Sequence, residues 1–240
     1  MEEKNFKNPE ELLNFVLKEC SDMNYTYNWL GNLKDYGSGK YNSTMIYLRI
    51  FAPNINFERI YFAQTLLKQY LDCKFYEIKI IFGNDELFDN ERDNQFLSKL
   101  DLEKLEIDGE FNKLPQLPEK LIFLSIKTDN HVIFPELPKN LTHLCISEEG
   151  LDTDNFPELP VSLRQLEISM SPFTDKFSKY WTENHTGYPK IEDFMNNAGS
   201  GRKLLYQPAI EKVREFLKFT RTPKSTISKF KAFIHGRKEI

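Results

Sequence analysis

Leu114-Pro-Gln-Leu-Pro-Glu-Lys-Leu121-Ile-Phe-Leu124-Ser-Ile126 is followed by two near-copies of itself, Phe134-Pro-Glu-Leu-Pro-Lys-Asn-Leu141-Thr-His-Leu144-Cys-Ile146 and Phe156-Pro-Glu-Leu-Pro-Val-Ser-Leu163-Arg-Gln-Leu166-Glu-Ile168. The second prolines, Pro118, Pro138 and Pro160, are 20 and 22 residues apart, inside the roughly 20 to 29 residue period at which leucine-rich coils stack. In each copy Leu-x-x-Leu-x-Ile ends on a period of two, the pattern of a strand with one face buried. Each coil is therefore predicted to contribute one short parallel strand. The prolines have no N–H for a ladder and push the preceding residue toward extended backbone, so the return limbs are predicted to be extended rather than helical. The predicted fold class is α/β, a solenoid of short parallel strands with proline-containing limbs and helical caps at both ends.

Working outward, the same frame is legible at Leu102/Leu105/Ile107, and more loosely at Phe75/Ile78/Ile80 and Ile46/Leu48/Ile50. The acidic, Asn-rich stretch at residues 82–97 predicts a longer turn or an irregular coil with a short helix. Asn8-Pro9-Glu10-Glu11 before Leu12, Leu13, Phe15, Val16 and Leu17 reads as a capped helix with proline in its first turn. Residues 57–71, with Ile60, Phe62, Ala63, Leu66, Leu67 and Leu71, read as a second helix; both are predicted to cover the open end of the coil stack. Residues 172–201 show no clear period and predict loops with a short helix near residues 191–195. Two amphipathic helices are predicted after them, one carrying Ile210, Val213, Phe216 and Leu217, the other Ile227, Phe230, Phe233 and Ile234. The resulting division is 1–74 as an N-terminal cap of helix and strand, 75–171 as the solenoid, and 172–240 as loop plus basic helical cap.

The 240 residues carry a formal charge of −4 and are 40% hydrophobic and 28% charged, ordinary for a folded chain with a sizeable core. No apolar run reaches the ~18 residues of a membrane span, and Met-Glu-Glu-Lys-Asn-Phe-Lys-Asn at the start lacks the core of a secretory signal. Three widely spaced cysteines, Cys20, Cys73 and Cys145, supply neither a disulfide framework nor a ligand set. A reducing cytoplasm is the expected location, in a host cell if the protein is exported. From residue 202 onward 11 Lys/Arg face 3 Asp/Glu, which leaves −12 on the remainder. That asymmetry predicts an anionic surface for the tail, either another molecule or the protein's own acidic body. Nucleic acid is disfavoured, because an acidic protein is repelled by phosphates.

At the Leu-Pro-x-Leu-Pro-x-x-Leu-x-x-Leu-x-Ile blocks the chain resembles the short bacterial leucine-rich repeats of secreted effectors of the YopM and IpaH type. More loosely, Phe-Pro-Glu-Leu-Pro-Lys-Asn-Leu and Phe-Pro-Glu-Leu-Pro-Val-Ser-Leu resemble FNIP repeats. The resemblance covers residues 100–169 and implies a curved platform for protein partners, with roles as scaffold or virulence effector. Some members of those families add a ubiquitin-ligase domain with a Cys-x-Asp motif. Cys20-Ser21-Asp22 has that spacing but precedes the repeats.

If the inward residues are buried, the residues between them line one face: Tyr47 and Arg49, Glu77 and Lys79, Lys104 and Glu106, Phe123 and Ser125, His143 and Cys145, Gln165 and Glu167. A mixed aromatic, charged and polar stripe suits recognition of a protein partner. His143 and Cys145 point the same way but lack the third partner that a metal site or nucleophilic triad needs, so no catalytic residue, metal or cofactor is assigned. Gly37-Ser-Gly39-Lys40 is too short for a phosphate loop, and the carboxylates of residues 85–93 lack the alternation of a calcium loop. The expected function is non-enzymatic protein binding on the strand face. The alternatives are an effector associated with ubiquitin ligation, through Cys20 or Cys145, and a structural component of a larger assembly such as a virus particle.

Overall fold

The apolar positions of each repeat become the buried face of one sheet. A computed structural model describes residues 9–17, 24–30, 44–51, 55–81, 88, 91–148, 150–169, 171–184, 195–197, 202–207 and 209–221. In chain order its elements are α1 (Pro9–Leu17), β1 (Asn24–Leu30), β2 (Thr44–Phe51), α2 (Phe57–Leu71), β3 (Cys73–Ile81), α3 (Glu91–Leu97) and β4 (Lys104–Asp108). There follow β5 (Phe123–Thr128), β6 (His143–Glu148), β7 (Gln165–Ser169), α4 (Pro172–Asn184), β8 (Met195–Asn197), β9 (Arg202–Tyr206) and α5 (Ala209–Arg221).

Among the described residues nine strands join in one open α/β sheet, in the order β1-β2-β3-β4-β5-β6-β7-β9-β8. From β2 to β7 every neighbour is parallel, whereas β1, β9 and β8 are antiparallel to their neighbours. The sheet thus runs unbroken through the boundaries expected at residues 74 and 171. Its two edges are strands, β1 and β8. Helix α2 joins the adjacent parallel strands β2 and β3 as a crossover, the connection a parallel pair requires, and not as a lid beyond the last strand.

Register follows the repeat residue for residue. Ile78, Leu105, Leu124, Leu144 and Leu166 pair in one line, and Ile80, Ile107, Ile126, Ile146 and Ile168 in the next; all ten are buried at 0 or 1% exposure. Ahead of the strands, Leu121, Leu141 and Leu163 occupy equivalent places. Each is fully buried and donates its N–H to the carbonyl of the second proline, at 3.2, 3.0 and 3.1 Å. Each coil is then tied to the one before. Ile122 and Phe123 both donate to Glu103 O, Thr142 and His143 to Ile122 O, and Arg164 and Gln165 to Thr142 O, all at 2.8–3.1 Å. The limbs after β4, β5 and β6 contain no helix among the described residues, in keeping with their prolines. Neighbouring limbs meet through a parallel bridge between Lys113 and Ile133.

Polar groups at the strand ends complete the turn. Thr128 and Glu148 are paired in register and buried, and each accepts an N–H of its descending limb: Asn130 N to Thr128 Oγ1 at 3.1 Å, Val132 N to Glu148 Oε1 at 3.3 Å. Asn155 Nδ2 donates to the same Glu148 oxygen at 2.7 Å, while among the described residues Oε2 has no hydrogen-bond partner. Burial raises the Glu148 carboxyl above its ordinary range; the Val132 N–H, the charge of His131 and the Asn155 amide oppose that rise.

Residues 172–184, expected to be loop, form helix α4. Its buried Phe173, Phe177 and Trp181 recur every four residues, a signal that the surrounding Lys, Thr and Asn content obscures. Part of the short helix expected at residues 191–195 lies outside the described residues, and Met195 begins strand β8. Helices α4 and α5 pack on the last limb through stacked and edge-on rings: Phe156 on Phe173 at 4.0 Å, and Phe216 at 5.7 Å from Phe173 and 5.4 Å from Phe177. Helix α5 carries the expected apolar face of Ile210, Val213, Phe216 and Leu217. The helix expected at residues 225–236 lies outside the described residues. No helix among the described residues is long and apolar enough to cross a membrane.

Candidate functional site

Because opposite residues in a ladder share a face, the strands assemble the outward positions into rows. The first row is Tyr47, Glu77, Lys104, Phe123, His143, Gln165 and Tyr206; the second begins Arg49, Lys79, Glu106, Ser125, Cys145 and Glu167. All twelve residues singled out from the sequence lie in these rows. Arg49 is exposed, Cys145 is buried at 7% exposure, and the other ten are half-buried. A third row, through Ile81, Asp108, Lys127 and Ser147, borders them.

Two aromatic members of the face escaped the sequence reading. Between Ile46 and Tyr47 the β2–β3 register slips by one, so Tyr76 bulges while Glu77 takes the place opposite Tyr47. A strict period of two hides such a residue. Tyr206 sits opposite Gln165 on β9, a strand that no alternation in Arg-Lys-Leu-Leu-Tyr announces.

The first row is an aromatic strip with a cation in it. Tyr47 and Tyr76 meet edge-on at 5.5 Å, Lys104 Nζ lies 5.2 Å from the Tyr76 ring and 5.5 Å from the Phe123 ring, and Phe123 is 6.3 Å from His143. Cation–π contacts of this kind contribute about 0.5–1 kcal/mol when partly exposed, which favours the ammonium's place between two rings. Thr142 Oγ1 donates to Ile122 O at 3.0 Å and lies 2.8 Å from His143 Nδ1. With its one proton committed to the carbonyl, that hydroxyl is placed to accept from His143 Nδ1.

In the second row Lys79 Nζ donates to Glu106 Oε2 at 2.7 Å. Burial and then the Glu106 carboxylate raise the Glu77 carboxyl above its ordinary range, against Lys104, Lys79 and Arg49. Burial, followed by Tyr76, raises the Tyr47 phenol. The middle of the face is a hollow of about 410 Å³ lined by Lys79, Glu106, Phe123, Ser125, His143, Cys145, Gln165 and Glu167, with Asp108 and Lys127 on its border row. Lys127 and Asp108 are themselves paired at 3.1 Å.

His143 and Cys145 do share the face, yet among the described residues no three His, Cys, Asp or Glu side chains gather as a metal-ligand group. Cys20, Gly37–Lys40 and the carboxylates of residues 85–87 and 89–90 lie outside the described residues. Compared with protein-family models, curated proteins and solved structures, the chain gives no match.

Proposed function

We propose that the chain is a leucine-rich-repeat solenoid that binds a protein partner across its strand face without acting as an enzyme. The observation that carries this reading is the pair of in-register rows crossing β2 to β7 around the 410 Å³ hollow. Rings held in fixed positions lose little rotamer entropy when they are covered, which is why aromatic side chains anchor interfaces. Four cations, Arg49, Lys79, Lys104 and Lys127, stand on the face with four carboxylates, Glu77, Glu106, Asp108 and Glu167. Such a balanced surface favours a mixed apolar and polar protein segment over a polyphosphate. A role as cytoplasmic scaffold or exported effector follows from the same reading.

A photo-crosslinking side chain at position 123, with a control at the exposed limb position 139, tests it in the native cell extract. The expected result is a discrete adduct from position 123 alone, reduced at least tenfold by His143→Ala, in line with truncation of an interface anchor. Equal adducts from both positions, or an adduct from 139 only, overturn the reading.

A further inference from the structure

The limb side of the sheet carries a second surface, and the described chain stops beside it. Two hollows of about 510 and 500 Å³ adjoin along Ile133, Phe134 and Pro135, which line both and stand in the middle of the groove they make. The shared stretch is apolar, with Ile133 61% exposed. The groove's rim carries Glu136, Asp154 and Glu158, all exposed; among the described residues neither Glu136 nor Glu158 has an ion-pair partner. Helix α5 is fastened along the same limb. Arg214 donates to Leu159 O at 3.3 Å and to Pro160 O, and Arg221 donates to Thr153 O at 3.3 Å and to Phe156 O. Arg221, the last residue of α5, also lines the groove, so the helix ends at its mouth.

The residues that follow have the complementary chemistry. Residues 222–240 contain Lys224, Lys229, Lys231, Arg237 and Lys238 against Glu239 alone, and Ile227, Phe230 and Ile234 recur at the spacing of one helical face. A helix over residues 224–236 would be about 20 Å long at 1.5 Å per residue. The basic segments already visible bind this same body: Arg214 and Arg221 spend their donors on its limb carbonyls. We infer that residues 224–236 dock in the groove of their own chain, with Phe230 and Ile234 on Ile133, Phe134 and Pro135, and lysines beside Glu136, Asp154 and Glu158. The occupant of the limb-side surface is then internal, which leaves the strand face as the surface open to a partner.

Amide hydrogen exchange on the full chain tests this, comparing the wild type with Phe230→Asp/Ile234→Asp and with Glu136→Lys/Glu158→Lys. Both variants are expected to speed exchange over residues 131–136 about tenfold, the factor that corresponds to ~1.4 kcal/mol of lost docking, while β5 and β6 amides stay slow and certify an intact sheet. Carbodiimide treatment of the wild type is expected to join Lys229 or Lys231 to Glu136 or Glu158 within one molecule. Exchange unchanged in both variants overturns the inference. So do crosslinks found only between two copies, or protection of residues 224–236 that appears only with phosphatidylserine vesicles.

Discussion

The coils before β4 and those after it build one sheet with different return limbs. Between β2 and β3, and between β3 and β4, the crossings contain helices α2 and α3; from β4 to β7 they are extended and marked by prolines. Yet Ile78 and Ile80 stand in the same lines as Leu105 and Ile107, or Leu144 and Ile146. Register is therefore set by the strand residues, whose alternation decides which side chains are buried. The limb only has to span the return and cover those side chains. A helix does so through Ile60, Ala63 and Leu67, an extended limb through Leu117 or Leu137.

Substituting matched strand positions is the strongest way to break this comparison. Leu144→Ala in a proline-limbed coil and Ile78→Ala in a helix-limbed one should each cost about 2–5 kcal/mol in urea unfolding, because both leave a cavity in a closed core. A cost for Ile78→Ala below a third of that for Leu144→Ala would separate the two regions. The limbs themselves should respond in opposite ways. Ala63→Pro, inside α2, removes a helical hydrogen bond and should cost about 3 kcal/mol, whereas Pro138→Ala should cost under about 1 kcal/mol through the entropy of the unfolded chain. Equal losses would mean that limb type does not matter to the fold. The helical limb also depends on its first turn, where Asn56 Oδ1 accepts from Arg59 N at 2.8 Å. Asn56→Ala should lower stability by about 1 kcal/mol, with no counterpart among the extended limbs.

The smallest effect is a pH dependence carried by Glu148, in a proline-limbed coil. Burial raises the Glu148 carboxyl in the folded chain. Between the ordinary glutamate range and that raised value the folded state keeps a proton the unfolded chain has released, so stability falls as pH climbs through the window. Glu148→Gln removes the ionisation, and the variant's melting temperature relative to wild type should increase from pH 4 to pH 8. A flat difference would assign that slope to other groups.

The difference between the halves also explains what could be read from the sequence. Three copies of Pro-x-x-Leu-x-x-Leu-x-Ile announce their own strands, turns and outward face, and the frame carries back to Ile46 because burial imposes the same alternation there. Tyr76 could not be found that way, since a bulge breaks the period at the residue in question. Strand β9 was silent because Arg-Lys-Leu-Leu-Tyr carries no alternation of apolar and polar residues. Helix α4 was legible only as Phe173, Phe177 and Trp181, three large residues within polar surroundings. For the candidate face, the repeat placed its twelve residues but not Tyr206, which arrives from an antiparallel strand.

The parallel run is bounded by β1 on one side and by β9 with β8 on the other. Neither flank offers a parallel neighbour's place, so the array has no growing end. Lengthening must happen in the middle, where each turn repeats the amide contacts of its predecessor and a unit of 20 or 22 residues can be duplicated or excised whole. Every such event would add or delete one rung from each outward row, making the reach of the face adjustable in steps of a single strand.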